Sequence, residues 1–179
     1  HAPDALDLQF EGFRLSNFSA LLNADSVPLR GRLEGELQFE HMFSNPAAQA
    51  RLAITRLRLG EEYLGNMRIT ATNPAANKYD FRMGLADGGI RMRVDGNYQA
   101  VNGEQLLNLQ LQLDTLQMQL LTAFSGNQFS DPEGFVSARF DISGSLSEPV
   151  YAGEMRFRNA ALTVNQLNNR FSLADERIR

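Results

Sequence analysis

The sequence predicts an all-β protein: one long, curved antiparallel meander with an apolar concave face and one or two short helices. Three observations carry that prediction. Apolar residues alternate at period two along most of the chain, as in Leu37 and Phe39 and again in Leu52 and Ile54. The alternation slips by one residue in a few places, for instance after Ile54, where the next apolar residues are Leu57 and Leu59. The pattern also returns 103 residues on, which carries Gly31 onto Gly134, Leu37 onto Phe140, Pro46 onto Pro149 and Leu52 onto Met155. Leu6, Leu8, Phe10, Phe13, Leu15, Phe18 and Leu21 fall without a gap on Leu109, Leu111, Leu113, Leu116, Met118, Leu121 and Phe124. Residues 5–72 thus repeat as 108–175, and such repeats imply an elongated architecture in which each unit packs on its neighbour.

Taken in order, the alternation marks strands at 5–16, 31–43, 49–59, 62–72, 78–86, 89–99, 105–118, 134–146, 151–164 and 167–175. Between the first two strands of each copy lies helical spacing, Phe18, Leu21 and Leu22 in one and Leu121 and Phe124 in the other. Asn23 and Gly126 close these turns, because both residue types accept the left-handed conformation past a helix end. Each short helix is expected to plug one spot. Asn45-Pro46 and Glu148-Pro149 interrupt the ladder, since proline has no N–H to donate and holds its predecessor extended. Asp87-Gly88 and Asn102-Gly103 supply the positive φ of two-residue hairpins, so the strands around them are expected to be antiparallel neighbours.

The slips fall at Glu11-Gly12, Thr55-Arg56, Asp114-Thr115 and Arg158-Asn159. One extra residue in a strand is a β-bulge, which raises twist and bends the sheet. On this reading the sheet curls with its apolar side inward. That side is lined by Leu37 and Phe39, Leu52 and Ile54, Tyr79, Phe81, Met83 and Leu85, then Ile90, Met92 and Val94. Leu109, Leu111 and Leu113, Phe140 and Ile142, and Met155 and Phe157 complete it. Ten strands at about 4.8 Å each span roughly 48 Å, far more than two short helices cover. Such a face must meet a second sheet, its own other edge or a greasy ligand.

Composition narrows the function classes. With 43% apolar and 21% charged residues the chain is a folded protein. A net charge of −4 gives no bulk attraction for nucleic acid, although nearly all the basic residues are arginine. Arginines such as Arg51, Arg56, Arg58, Arg91 and Arg93 read as a solvated face paired across strands with acids. Absence of cysteine excludes a disulfide framework and a cysteine-held metal. No segment reaches the length of a membrane helix.

No catalytic constellation, metal site or cofactor motif is written here. His41 shares parity with Phe39 and Phe43 and has no partner in the pattern, while His1 stands at the start. Asp87-Gly88-Gly89 lacks the lysine and the strand-to-helix context of a phosphate loop. Glu34, Glu36, Glu40 and Asp141 alternate with the apolar residues and face outward, so they form no acid pair. Met83, Met92, Met118 and Met155 fit a core, and also a surface that accepts varied apolar partners.

The segment from about 105 to 179 resembles the TamB family of the AsmA-like superfamily, a group of bridge-like lipid-transfer proteins. The resemblance rests on Gly134 opening a strand, Ile142-Ser143-Gly144, Pro149 after an acidic turn, Gly153, then Ala160, Leu162 and Val164, and Asn168, Phe171 and Ile178. It reaches residues 5–69 through the repeat, where Ala47, Ala48 and Ala50 depart from Val150, Tyr151 and Gly153. The resemblance implies one β-taco segment over 1–179 taken from a longer protein, an open trough within a periplasmic, inner-membrane-anchored protein of a diderm bacterium. It further implies phospholipid acyl chains as cargo moving between inner and outer membranes. An Omp85-type outer-membrane partner of the full-length protein, within a translocation and assembly module, is implied as well, with membrane contact only through parts outside this chain. Two other readings stand beside it: chaperone-like capture of outer-membrane protein strands by trough or edge, and a closed β-sandwich spacer.

Overall fold

The structure, a computed structural model, describes residues 5–19, 29–40, 47–75, 77–101, 103–125, 128–173 and 175–178. It is a single antiparallel sheet of eleven strands in meander order, and it is not closed into a barrel. The strands are β1 (Ala5–Arg14), β2 (Leu29–Glu40), β3 (Ala47–Leu59), β4 (Glu62–Ala75), β5 (Lys78–Ala86) and β6 (Ile90–Val101). They continue as β7 (Glu104–Gln117), β8 (Phe129–Ser145), β9 (Pro149–Val164), β10 (Asn169–Leu173) and β11 (Arg177–Ile178). Helix α1 (Ser16–Ser19) follows β1; after β7 a 3₁₀ turn, Met118–Leu120, runs into α2 (Leu121–Phe124).

All four phase slips coincide with breaks in pairing register. Pairing jumps from Phe10 to Phe13 in β1, from Ile54 to Leu57 in β3 and from Leu113 to Leu116 in β7, and around Glu133 it skips Asn159 and Ala160 of β9. Gly12, Arg56 and Asn159 hold φ of 62°, 53° and 47°, the left-handed turn through which the extra residue is accommodated. Arg56 and Asn159 stand 103 residues apart, as do Gly31 and Gly134, each of which lies against the bulge of its neighbouring strand. A Cβ on Gly134 would lie 2.2 Å from the Asn159 carbonyl oxygen, so the second bulge requires glycine opposite it.

Several expectations need correction. The last strand is not one run over 167–175: β10 pairs β9 at 160–164, the chain breaks, and β11 resumes pairing at Met155 and Arg156. The Asp87-Gly88 connection has three residues, because Gly89 hydrogen-bonds outside the hairpin to Tyr63 and Gln117. Pro149 does not end β8, which stops at Ser145; it opens β9, where its missing N–H is tolerated. Met118 leaves the strand for the 3₁₀ turn. Leu21, Leu22, Asn23, His41, Phe43, Asn45, Pro46, Asn102 and Gly126 lie outside the described residues.

The core sits toward the end of the sheet where the bulges lie. Leu15, Leu33, Leu57, Leu64, Leu85, Ile90 and Leu120 form one buried cluster, and Met118, Val136 and Ala160 form a second. Met118 and Leu120 are 1% and 2% exposed, so the 3₁₀ turn after β7 is the plug that covers this end.

Candidate functional site

Register decides which residues share a face, because directly paired residues of adjacent strands point the same way. One row runs Leu8, Leu37, Ala50, Ala71, Phe81, Gly96, Leu109, Ile142 and Tyr151 across nine strands. The next runs Phe10, Gly35, Leu52, Ile69, Met83, Val94, Leu111, Phe140 and Gly153. A third runs Leu33, Ile54, Met67, Leu85, Met92, Leu113, Ala138, Met155 and Ile178. Ile90, Leu116, Val136 and Phe157 form a fourth at the plugged end. Beyond Leu37 and Phe81, Phe39 and Tyr79 continue the same parity, and Tyr79 meets Tyr98 with ring centroids 6.1 Å apart. All eighteen residues singled out from the sequence therefore lie on one face.

Their burial is not uniform. Leu85 and Ile90, 3% and 8% exposed, are core under the plug rather than an available surface. The other sixteen are half-buried. Toward the unplugged ends of the strands exposure rises, to 41% for Leu6 and 65% for Tyr151. Met67, Ile69 and Ala71 of β4 and Val136 and Ala138 of β8 belong to the same face, although only their neighbours were singled out. The alternation in "NMRITAT", residues 66–72, was the signal that would have found the β4 set.

Small residues shape this face. Gly96 lies between Phe81 and Leu109, and a Cβ there would come within 2.4 Å of Leu109 Cδ2 and 3.1 Å of Phe81 Cζ. Phe140 leans over Gly153, whose Cβ would lie 2.5 Å from its ring. Large side chains thus fill the gaps left by glycines in the neighbouring strand.

The opposite face is polar and carries the ion pairs: Arg51–Glu36 at 3.0 Å, Arg82–Asp95 at 2.5 Å and Arg156–Glu154 at 2.9 Å. Arg177 of β11 also pairs with Glu154, which holds that carboxyl below the ordinary glutamate range. Arg58 donates to the Glu61 carbonyl at 2.7 Å and lies over the Tyr63 ring. Of the arginines named from the sequence, Arg51 is paired with an acid across strands as expected. Arg56 instead sits in the bulge, and its backbone N–H donates to Asn66.

The hollows of the structure lie over this polar face. One, about 610 Å³, is lined by Thr70, Asp80, Arg82, Asp95, Asn108 and Asp141 among others. A second, about 490 Å³, lies around Gly84. Small residues at the sheet surface, with long charged side chains standing around them, leave such spaces. Among the described residues no three histidine, cysteine or acidic side chains gather into a metal-sized group, and no helix is long and apolar enough to cross a membrane. Comparison of the chain with protein-family models, with curated proteins and with solved structures finds no match.

Proposed function

We propose that this chain is a segment of an apolar conduit that carries phospholipid acyl chains between the inner and outer membranes of a diderm bacterium, in the manner of the TamB proteins it resembles. The observation that carries the reading is the single unclosed meander, whose register aligns mostly apolar positions in rows of nine strands each, with no second sheet over them among the described residues; this supports reading that face as an apolar trough. Acyl chains need contact area and exclusion of water but no directional bonds. A face of leucine, methionine, phenylalanine and valine offers that, with methionines adapting to differently shaped chains. In this reading the polar face is turned to the aqueous periplasm. The anchor in the inner membrane and the Omp85-type partner belong to other parts of the full-length protein.

The reading is tested by native mass spectrometry of the purified chain for co-purifying phospholipid, together with photo-crosslinking from Phe140 and Met155 in cells. Lipid adducts at these positions, and none from probes at Arg139 or Glu154 on the other face, support it. Crosslinks to protein alone would replace it with a client-binding role.

One observation favours a second reading. The outer half of β9, Pro149–Glu154, has β8 on one side and no strand on the other among the described residues, since β11 pairs only from Met155 onward. Val150 and Tyr151 are 62% and 65% exposed there. An incoming strand of an outer-membrane protein would add to this edge by backbone hydrogen bonds.

A further inference from the structure

The hollow around Gly84 on the polar face has a composition that the apolar face does not explain. Gly84 pairs with Arg68 of β4 on one side and Arg93 of β6 on the other, so the two arginines flank a position with no side chain. Their Cα atoms are two strand spacings apart, roughly 10 Å, within reach of two long side chains converging over the glycine. A Cβ added to Gly84 would meet nothing within 4 Å, which makes this an open space above the sheet. Arg82 and Arg91 also line it.

The acids nearby form no ion pair with Arg68, Arg91 or Arg93, although Asp87 and Asp114 line the same hollow. Arg82 is held by Asp95 at 2.5 Å. Asp87 accepts from Asn66 at 3.3 Å and Asp114 from Gln112 at 2.7 Å, both amide donors that leave the carboxylate charge uncompensated by an arginine. Among the described residues no carboxylate or carbonyl accepts from Arg68, Arg91 or Arg93. Elsewhere on the same face Arg51 and Arg156 are matched with acids, Glu36 and Glu154, while Arg139 and Arg158 stand singly rather than grouped around a glycine gap. Three guanidinium groups outside any ion pair stand around one gap with donors free for a shared anion, against the two carboxylates at its margin.

We propose that this hollow binds a phosphate-bearing anion, with Arg68 and Arg93 as a facing pair of guanidinium forks and Arg91 as a third donor. Guanidinium suits this role because its planar, permanently charged donors meet two phosphate oxygens at once, and near-exclusive use of arginine over lysine in this chain fits that demand. A free phosphate group and a phospholipid headgroup share this chemistry. On the headgroup reading, the polar face would touch a membrane surface or the rim of a lipid independently of the apolar face.

The test titrates the intact chain with inorganic phosphate at constant ionic strength, following backbone amide resonances of Gly84, Arg91 and Arg93. In parallel it measures co-sedimentation with vesicles of phosphatidylcholine and of phosphatidylcholine and phosphatidylglycerol in equal parts. The parent is compared with the double variant Arg68→Gln/Arg93→Gln, with Gly84→Glu, and with Arg51→Gln as a control on the same face. Saturable shifts with inorganic phosphate, weakened about tenfold in the double variant and in Gly84→Glu but unchanged in Arg51→Gln, establish a site for the free group. Binding only to the anionic vesicles, weakened by the same variants, assigns the site to a headgroup. Vesicle binding that the arginine variants leave intact belongs to the apolar face and overturns the proposal, as does the absence of any saturable effect. Far-ultraviolet circular dichroism confirms that each variant is folded; Gly84→Glu places its side chain in open space and tests the site without removing an arginine.

Discussion

The side-chain carbonyl of Asn66 accepts the backbone N–H of Arg56 at 3.0 Å, at the point where β3 carries one residue more than β4. The bulge takes that N–H out of the ladder, and a polar side chain on the neighbouring strand replaces the lost acceptor. The amide of Asn66 also donates to Asp87 at 3.3 Å, which ties the bulge to the β5–β6 connection. Asn66→Ala should therefore cost about 1 kcal/mol. Asn66→Asp keeps the acceptor but sets its charge against Asp87, so it should recover only part of the loss. Denaturant titrations of the two variants measure both; equal stability of Asn66→Ala and the parent would show that water serves the bulge as well.

Removing the extra residue is a harsher change. Deletion of Arg56 would shift Leu57 and Leu59 by one position and turn Leu57, 3% exposed, to the polar face. Soluble, thermally unchanged protein after this deletion would contradict the bulge assignment; aggregation is the expected result. The milder Arg56→Val keeps the length but puts a β-branched residue at a φ of 53°, at a cost of about 1–2 kcal/mol.

How much of this was legible in the sequence follows from which forces are local. The bulges at Thr55-Arg56 and Arg158-Asn159 were visible because each residue of a two-sided sheet reports its own face, so one inserted residue reverses the parity of everything after it. Strand neighbours followed from short connections such as Asp87-Gly88. The plug was only half visible: helical spacing pointed to Leu121, whereas Met118 read as the last residue of a strand and Leu120 fell in no predicted element. Leu120 is buried against Gly89 of a distant connection and Met118 against Val136 and Ala160, and periodicity carries no information about either contact. Arg68 and Arg93 passed as ordinary solvated residues for the same reason, because only the register places Gly84 between them.

The two ends of the apolar face should respond differently to substitution. Leu120→Ala removes a side chain 2% exposed in the plug and should cost about 2–5 kcal/mol, depending on how far the core collapses. Leu111→Arg, on a half-buried row away from the plug, should leave the chain folded with a smaller fall in thermal midpoint if the proposed conduit is open to water there. Unfolding of Leu111→Arg comparable to that of Leu120→Ala would mean that the face is sealed. That result would favour a spacer over a conduit.

Glycine substitutions give a comparison free of lost contacts. Gly134→Ala places a methyl 2.2 Å from the Asn159 carbonyl oxygen at a φ of +87°, where both clash and backbone oppose it. Gly84→Ala places the same methyl in open space. The first should be destabilised well beyond 1 kcal/mol, enough to lower the melting temperature by several degrees, and the second should be near neutral or slightly stabilised. Similar behaviour of the two would remove the steric explanation for glycine opposite the second bulge.

The attachment of β11 should depend on pH. Glu154 is held below the ordinary glutamate range first by its bond to Arg177, which outweighs the opposing effect of partial burial, and the charge of Arg156 adds to the lowering. A carboxyl whose folded value is depressed contributes stability that is fully present above its unfolded value and is lost as pH falls through the folded one. Glu154 is half-buried at the edge of the sheet, and the change should be local: β11 pairs only at Arg177 and Ile178, and Phe157 donates to the Glu176 carbonyl at 2.9 Å beside it. As pH drops below the ordinary glutamate value, amide exchange of Phe157 and Ile178 should quicken, once corrected for intrinsic rates, while amides in the Leu57–Leu85 core do not change. Glu154→Gln should show the fast exchange at neutral pH and lose the pH response. Exchange in Glu154→Gln that matches the parent at every pH would mean that backbone pairing alone holds β11 to the sheet.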